Sequence, residues 1–227
     1  MSDPSALLLE GLERLAVPDA GRVQRLMEIF LDELERWNPR FGLVNAADRG
    51  ELVVKHILDS LAGWSAIRTA LGSPGASVLD VGSGAGFPGI PLAAAMPDIA
   101  FTLLERMARR VSFLKTCVVL LGLPLLRVVQ ADLSDAEGVF DVVTFRAVAP
   151  LGRFLREIGR SRVTWRVAVA YKGREDRARE EIDDVRRSGE TLSDPRIVAL
   201  RPPFLDEERC LVVADRNSIV DKEVWPG

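Results

Sequence analysis

Asp80-Val81-Gly82-Ser83-Gly84-Ala85-Gly86-Phe87-Pro88-Gly89 is the stretch whose reading decides the fold. It follows Ser77–Val81, a short aliphatic run with the look of a strand, and leads into a helical pattern over Pro88–Met96. Glycines in such a junction let the backbone turn sharply and approach a ligand with no Cβ in the way. Downstream the same rhythm repeats. Strand patterns at Ala100–Leu104, Leu125–Gln130, Asp141–Phe145 and Val167–Tyr171 alternate with helical ones near Met107–Leu121, Leu151–Arg160 and Glu175–Ser188. Alternation of this kind predicts βαβ units and a parallel sheet with helices on both faces. Two more strands, Ile197–Leu200 and Arg209–Ala214, flank a Pro202-Pro203 loop. Upstream, Leu71-Gly72-Ser73-Pro74-Gly75 breaks the pattern, and residues 1 to 70 read as helical. Val23, Leu26, Met27, Phe30, Leu34 and Trp37 form an amphipathic stripe, and Pro39 makes Asn38 its expected stop. A second helix is predicted over Glu51–Ile67. The fold class read here is α/β, a doubly wound Rossmann-like sheet with a helical N-terminal extension. Its divisions are an extension over 1–72 packed on the core, a main domain over 73–216 and a tail over 217–227.

Composition narrows the chemistry. The chain has 227 residues, 48% hydrophobic and 28% charged, a globular balance. Its longest apolar run, Cys117 to Leu126, is interrupted by Gly122 and Pro124 and is too short to span a membrane. No signal peptide is legible, because Glu10 follows only Ala6 to Leu9. Two cysteines and one histidine leave too few soft ligands for a zinc cage and disfavour a Cys/His hydrolase. Cys117 and Cys210 read as core thiols in a reducing cytoplasm. A monomer with no membrane partner and no metal is the expectation.

In open α/β sheets, ligands sit at the carboxyl ends of the strands. Two glycine registers compete there. Gly82-x-Gly84-x-Gly86 behind Asp80 looks like the S-adenosylmethionine loop of class I methyltransferases, whereas Gly84-x-Gly86-x-x-Gly89 matches the dinucleotide fingerprint. The second begins late for a strand ending at Val81, and Asp80 would repel a pyrophosphate while welcoming an ammonium group. Glu105, at the second strand's end, is placed to accept from ribose hydroxyls, and Asp132, after the third, from an adenine amino group. The competing readings are a solvated Glu at a helix N-terminus for Glu105, the lesser of its two, and a plain turn residue for Asp132, an even match.

Seven segments stand out: Trp37-Asn38 with Asn45, Lys55-His56-Ile57-Leu58-Asp59-Ser60, Asp80 through Pro91, Phe101-Thr102-Leu103-Leu104-Glu105, Arg110-Val111-x-Phe113-Leu114, Arg146-Ala147-x-Ala149 and Lys172-Gly173. Together they resemble the RsmG (GidB) family, which methylates guanosine N7 in small-subunit ribosomal RNA with S-adenosylmethionine. The resemblance covers about 37 to 173. It implies a class I methyltransferase fold and a cofactor site lined by Gly82, Phe87, Leu133, Ser134 and Arg146. Where the family often has Arg-x-Glu-Glu, this chain has Asp132-Leu133-Ser134-Asp135, so adenine contacts would fall to backbone groups at Leu133. Guanine N7 carries a lone pair and no proton at neutral pH, so its methylation needs alignment and no general base. Arg146 and Lys172 are the expected catalytic side chains. A nicotinamide-dependent oxidoreductase, and an RNA-binding module that holds the cofactor without catalysis, are the other readings.

The net charge of −3 supplies no RNA footprint, but local patches do. Arg146, Arg153, Arg156, Arg160, Arg162, Arg166, Lys172 and Arg174 face one acid, Glu157, in one stretch, and Arg106, Arg109 and Arg110 follow Glu105. Arg109, Arg110, Arg153, Arg156 and Lys172 are the predicted contacts to RNA phosphate, the substrate being small-subunit ribosomal RNA or the subunit itself. His56 and Asp59, three apart on a helix, read as a pair that packs the extension or shapes the site.

Overall fold

Strand β1 (Ser77–Val81) alternates its side chains between two apolar layers, which is why it becomes the centre of the sheet. Val78 joins the core on one face, while Leu79 and Val81 join the core on the other. In the computed structural model, which describes residues 3–188 and 192–216, β1 sits within a seven-stranded sheet ordered β3-β2-β1-β4-β5-β7-β6. The strands are β2 (Ala100–Glu105), β3 (Leu126–Gln130), β4 (Glu137–Arg146), β5 (Arg162–Lys172), β6 (Leu192–Leu200) and β7 (Arg209–Arg216). Strands β1 to β5 pair in parallel, and β7 enters antiparallel between β5 and β6. Strand order reverses between β1 and β4, which opens a crevice at their carboxyl ends. The residues expected as a tail, 217–227, lie outside the described ones.

One face of the sheet carries α6 (Gly89–Ala95) and α7 (Ala108–Leu121), covered in turn by the N-terminal helices. The other carries α8 (Leu151–Gly159) and α9 (Glu175–Arg187). The N-terminal part comprises α1 (Pro4–Arg14), α2 (Ala20–Phe41), α3 (Arg49–Leu52), a π-helical segment (Val53–Leu58), α4 (Asp59–Leu61) and α5 (Trp64–Leu71). Its apolar side chains share one continuous core with the sheet. Phe30 of α2 packs edge-on against Phe87 at 5.3 Å between ring centroids and lies 6.2 Å from Phe113 of α7. Among the described residues, no helix is long and apolar enough to cross a membrane.

Three local expectations are corrected. Helix α2 does not stop at Asn38; it runs through Pro39 to Phe41 and ends at Gly42, whose left-handed φ of 56° caps it. Pro39 lies on the exposed side, so the Glu35 carbonyl it strands faces solvent. The single helix expected over Glu51–Ile67 is three short helices and a π segment. Gly63 stands at the break between α4 and α5, where a Cβ would come within 2.5 Å of the Tyr171 hydroxyl. Strands β4 and β5 also begin earlier than their aliphatic centres, because Glu137 pairs with Arg162 and their first residues are exposed and polar.

Candidate active site

A cavity of about 530 Å³ opens at the carboxyl ends of the central strands, within the size range of small-molecule sites. Its floor is the loop after β1. Gly82 and Ser83 donate their N–H groups to the Leu104 carbonyl at 2.8 and 3.1 Å, and the Ser83 hydroxyl donates to the Asp80 carbonyl. Gly82 and Gly84 both adopt positive φ, 67° and 59°, and both border the cavity. A Cβ on Gly84 would meet nothing within 4 Å except the Gly82 carbonyl at 3.8 Å, so the space beside it is open. Gly86 has another duty. It does not border the cavity, and a Cβ there would fall 2.5 Å from Ile90 and 3.2 Å from Leu114.

Asp80 also departs from expectation, for it lies fully buried beneath the loop and does not border the cavity. Its Oδ2 accepts from the Gly89 N–H at 3.1 Å, an approach that only a residue without Cβ allows, while Oδ1 has no hydrogen-bond partner. Burial raises its pKa to about 7. Asp80 therefore fastens the loop to α6 from below. With Gly89 committed to that contact and Gly86 to packing, the dinucleotide register has no glycine at the cavity beyond Gly84.

Glu105 and Asp132 line the opposite side. The buried Glu105 carboxylate accepts from the Gly84 N–H at 3.0 Å and the Met107 N–H at 2.8 Å, with Arg110 at 3.7 Å. Asp132 caps the short 3-10 turn Leu133–Asp135 and faces Arg106 at 3.8 Å. Leu133 borders the cavity; the Ser134 side chain is not among the lining groups.

At the β4 end stand Arg146, Ala147 and Val148, with Val44 and His56 from the N-terminal part. Arg146 Nη1 donates to Asp59 Oδ2 at 3.1 Å, and Nη2 lies 3.3 Å from His56 Nδ1. Such a contact requires a neutral His56 with its proton on Nε2, which faces the Asn45 carbonyl at 3.5 Å. Burial, followed by the Arg146 charge, lowers the His56 pKa from its usual 6.5, in keeping with that state. The Arg146 guanidinium also stands over the Phe87 ring at 5.3 Å, and the His56 and Phe87 rings are 5.1 Å apart. His56 and Asp59 thus do not bond each other as their spacing suggests; both turn to Arg146.

Lys172 is the clearest correction. It does not border the cavity, because its ammonium pairs with Glu181 of α9 at 2.7 Å and lies over Phe145. The basic stretch is likewise dispersed by the fold. Arg162 pairs with Glu137 and Arg166 bonds carbonyls of α5, both on the half of β5 that begins away from the cavity. Arg106, Arg110 and Arg153 line the cavity, Arg153 paired with Glu157, while Arg109 and Arg156 are exposed outside it. Val44, Val148 and Glu157 join the lining unannounced, since nothing in their local sequence marks them.

A family model described as rRNA small subunit methyltransferase G, GidB, matches residues 23–200. Among curated proteins, "Ribosomal RNA small subunit methyltransferase G" of Treponema pallidum is 36% identical over 91% of this chain and 92% of its own length. The protein of the same name from Halorhodospira halophila is 36% identical over 95% of this chain and 99% of its own. Two solved methyltransferases share the fold at low sequence identity. The human methyltransferase 10 domain containing protein has a TM-score of 0.55 at 14% identity, covering 83% of this chain and 97% of that one. An Aquifex aeolicus enzyme titled as a SAM dependent methyltransferase has a TM-score of 0.51 at 18% identity, covering 67% and 88%.

Proposed function

Because the chain belongs to the rRNA small subunit methyltransferase G family, and so methylates ribosomal RNA from S-adenosylmethionine, we propose that its acceptor is N7 of a guanosine. The observation that carries this reading is that the imidazole and the carboxylates lining the cavity already hold partners, which leaves none poised as a general base. His56 Nδ1 meets Arg146, Glu105 accepts from two backbone N–H groups, Asp132 caps its turn and Glu157 pairs with Arg153. An exocyclic amine or a ribose hydroxyl must shed a proton to be methylated, whereas a ring nitrogen with an in-plane lone pair sheds none.

The residues present fit the cofactor. The open space beside Gly84, the acids Glu105 and Asp132 at one end, and the Arg146 fork at the other match a ligand with a nucleoside and an amino-acid part. When bound, S-adenosylmethionine supplies a methyl group on a positively charged sulfur. Glu105 binds ribose hydroxyls, backbone groups at Leu133 receive the adenine, and Gly82 and Phe87 flank the middle. The remaining N–H groups of Arg146 hold the carboxylate. Asp80 and Gly86 serve as supports of the loop. Arg109, Arg110, Arg153 and Arg156 guide RNA phosphates to the mouth. Residues 1–72 act as an extension of the 73–216 domain, and the chain works as a monomer. A ribosomal substrate and two free, buried cysteines fit a reducing cytoplasm.

The test is incubation with labelled S-adenosylmethionine and undermethylated small subunits or naked ribosomal RNA, followed by nucleoside analysis. Label in 7-methylguanosine is the expected result. Label in any other nucleoside overturns the acceptor assignment.

A further inference from the structure

Arg209, the first residue of β7, is far in sequence from every group that lines the cavity, yet an ion-pair chain joins it to one of them. Asp59 is 5% exposed and sits between two guanidinium groups. Its Oδ2 accepts from Arg146, while Oδ1 lies 3.2 Å from Arg209 Nε in an ion pair that lacks hydrogen-bond alignment. We infer that Asp59 is a positioning residue for Arg146, and that Arg209 holds Asp59 in place for that task. The inference rests on the reading that Arg146 works in the site.

Three physical points carry it. Asp59 and His56 grip separate nitrogens of Arg146, which fixes the plane of the fork as well as its position, and a planar fork is useful only when its plane is set. Both gripping residues come from the π segment and the turn that follows it, and π-bulges are frequent at functional sites. A buried carboxylate is also a poor device for stability alone, since apolar replacements of buried ion pairs are often neutral or stabilising. Arg209 answers the remaining problem. With Arg146 as the sole partner, Oδ1 would be buried without a counter-charge and Asp59 would be free to rotate. Arg209 is itself held by Glu207 at 2.7 Å, so the chain of ion pairs ends on an exposed acid of the loop before β7.

A double-mutant cycle on the full chain tests this, reading kcat/KM for methyl transfer to undermethylated subunits beside thermal stability. Asp59→Asn keeps shape and an acceptor but loses the charge, and should lower kcat/KM by about tenfold, a coupling typical of residues in one ion-pair network. In an Arg146→Lys background the same change should cost less than about twofold, because the fork it positions is already gone. Arg209→Gln should follow the same pattern with a smaller loss, and Arg209→Lys should restore most of the activity. Arg209 stands at the edge of its strand, so its variants carry the cycle should Asp59→Asn fail to fold. Losses of equal size in both backgrounds would overturn the inference, showing that Asp59 and Arg209 merely support the fold. A native rate for Arg146→Lys alone would overturn the site reading itself, and this inference with it.

Discussion

Gly84 and Gly86 sit two residues apart in one loop, and both read from sequence as cofactor glycines. Adding a methyl group would tell them apart. Gly84→Ala places its Cβ in open space beside the cavity, at a left-handed φ that costs an alanine about 1–2 kcal/mol; the protein should still fold while cofactor affinity falls at least tenfold by calorimetry, a loss of about 1.4 kcal/mol. Gly86→Ala drives a methyl into Ile90 and Leu114 and should lose melting temperature first, at an overpacking cost of about 1–3 kcal/mol. Equal effects at both positions would contradict the division of duties. Glu105→Gln makes a sharper case. Its amide NH₂ must face one of the two N–H donors now satisfied, so loop and ligand suffer together. Cofactor binding should weaken by about 1–3 kcal/mol, the range for hydrogen bonds to charged groups; an isotherm indistinguishable from the native one would remove Glu105 from the site. Which glycines matter was legible in the spacing. What their missing Cβ would meet was not, because that depends on Ile90 and Leu114, brought there by the fold.

Helix α8 shows what a charge run becomes once folded. In sequence, its arginines belong to a long stretch of positive charge. In space, Arg153 stands at the cavity with Glu157, while the arginines at the start of β5 are carried away from the cavity. Reversing Arg153 and Arg156 to Glu should weaken RNA binding, with the salt slope shrinking by about 1 for each phosphate no longer neutralised and cofactor affinity nearly intact. An unchanged slope would make α8 a solvated face. Strand and helix types were legible wherever an apolar pattern ran long enough. Strand starts were not, since Glu137 and Arg162 look like loop until each supplies the other's partner across β4 and β5. The π segment was hidden because its apolar spacing reads like an ordinary helix. Lys172 misled because strand-end position says nothing about Glu181, which waits on α9.

At the scale of the molecule, the buried Asp80 makes stability depend on pH. Its folded-state pKa, about 7, is raised above the usual 3.8, so the folded form holds a proton that the unfolded form has released. That contribution is full below the unfolded value and is lost as pH rises through the folded one. Between about pH 5 and about pH 8 the native chain should therefore lose melting temperature relative to Asp80→Asn, whose side chain never charges. Parallel melting curves for the two proteins would contradict this. The sheet, its order-reversing crevice and several residues that line it were foreseeable from the glycine loop and the alternation around it; the joining of N-terminal helices to the loop through Phe30 and Phe87 was not. That joining has a pharmacological side. One end of the cavity is built by the ends of β2 and β3 and the loops that follow them, parts of the sheet itself. The far end is walled by Val44 and His56, which precede the sheet altogether. An inhibitor confined to the first end would touch only the sheet and its loops, whereas one extended to touch Val44 and His56 would draw its selectivity from the helical extension.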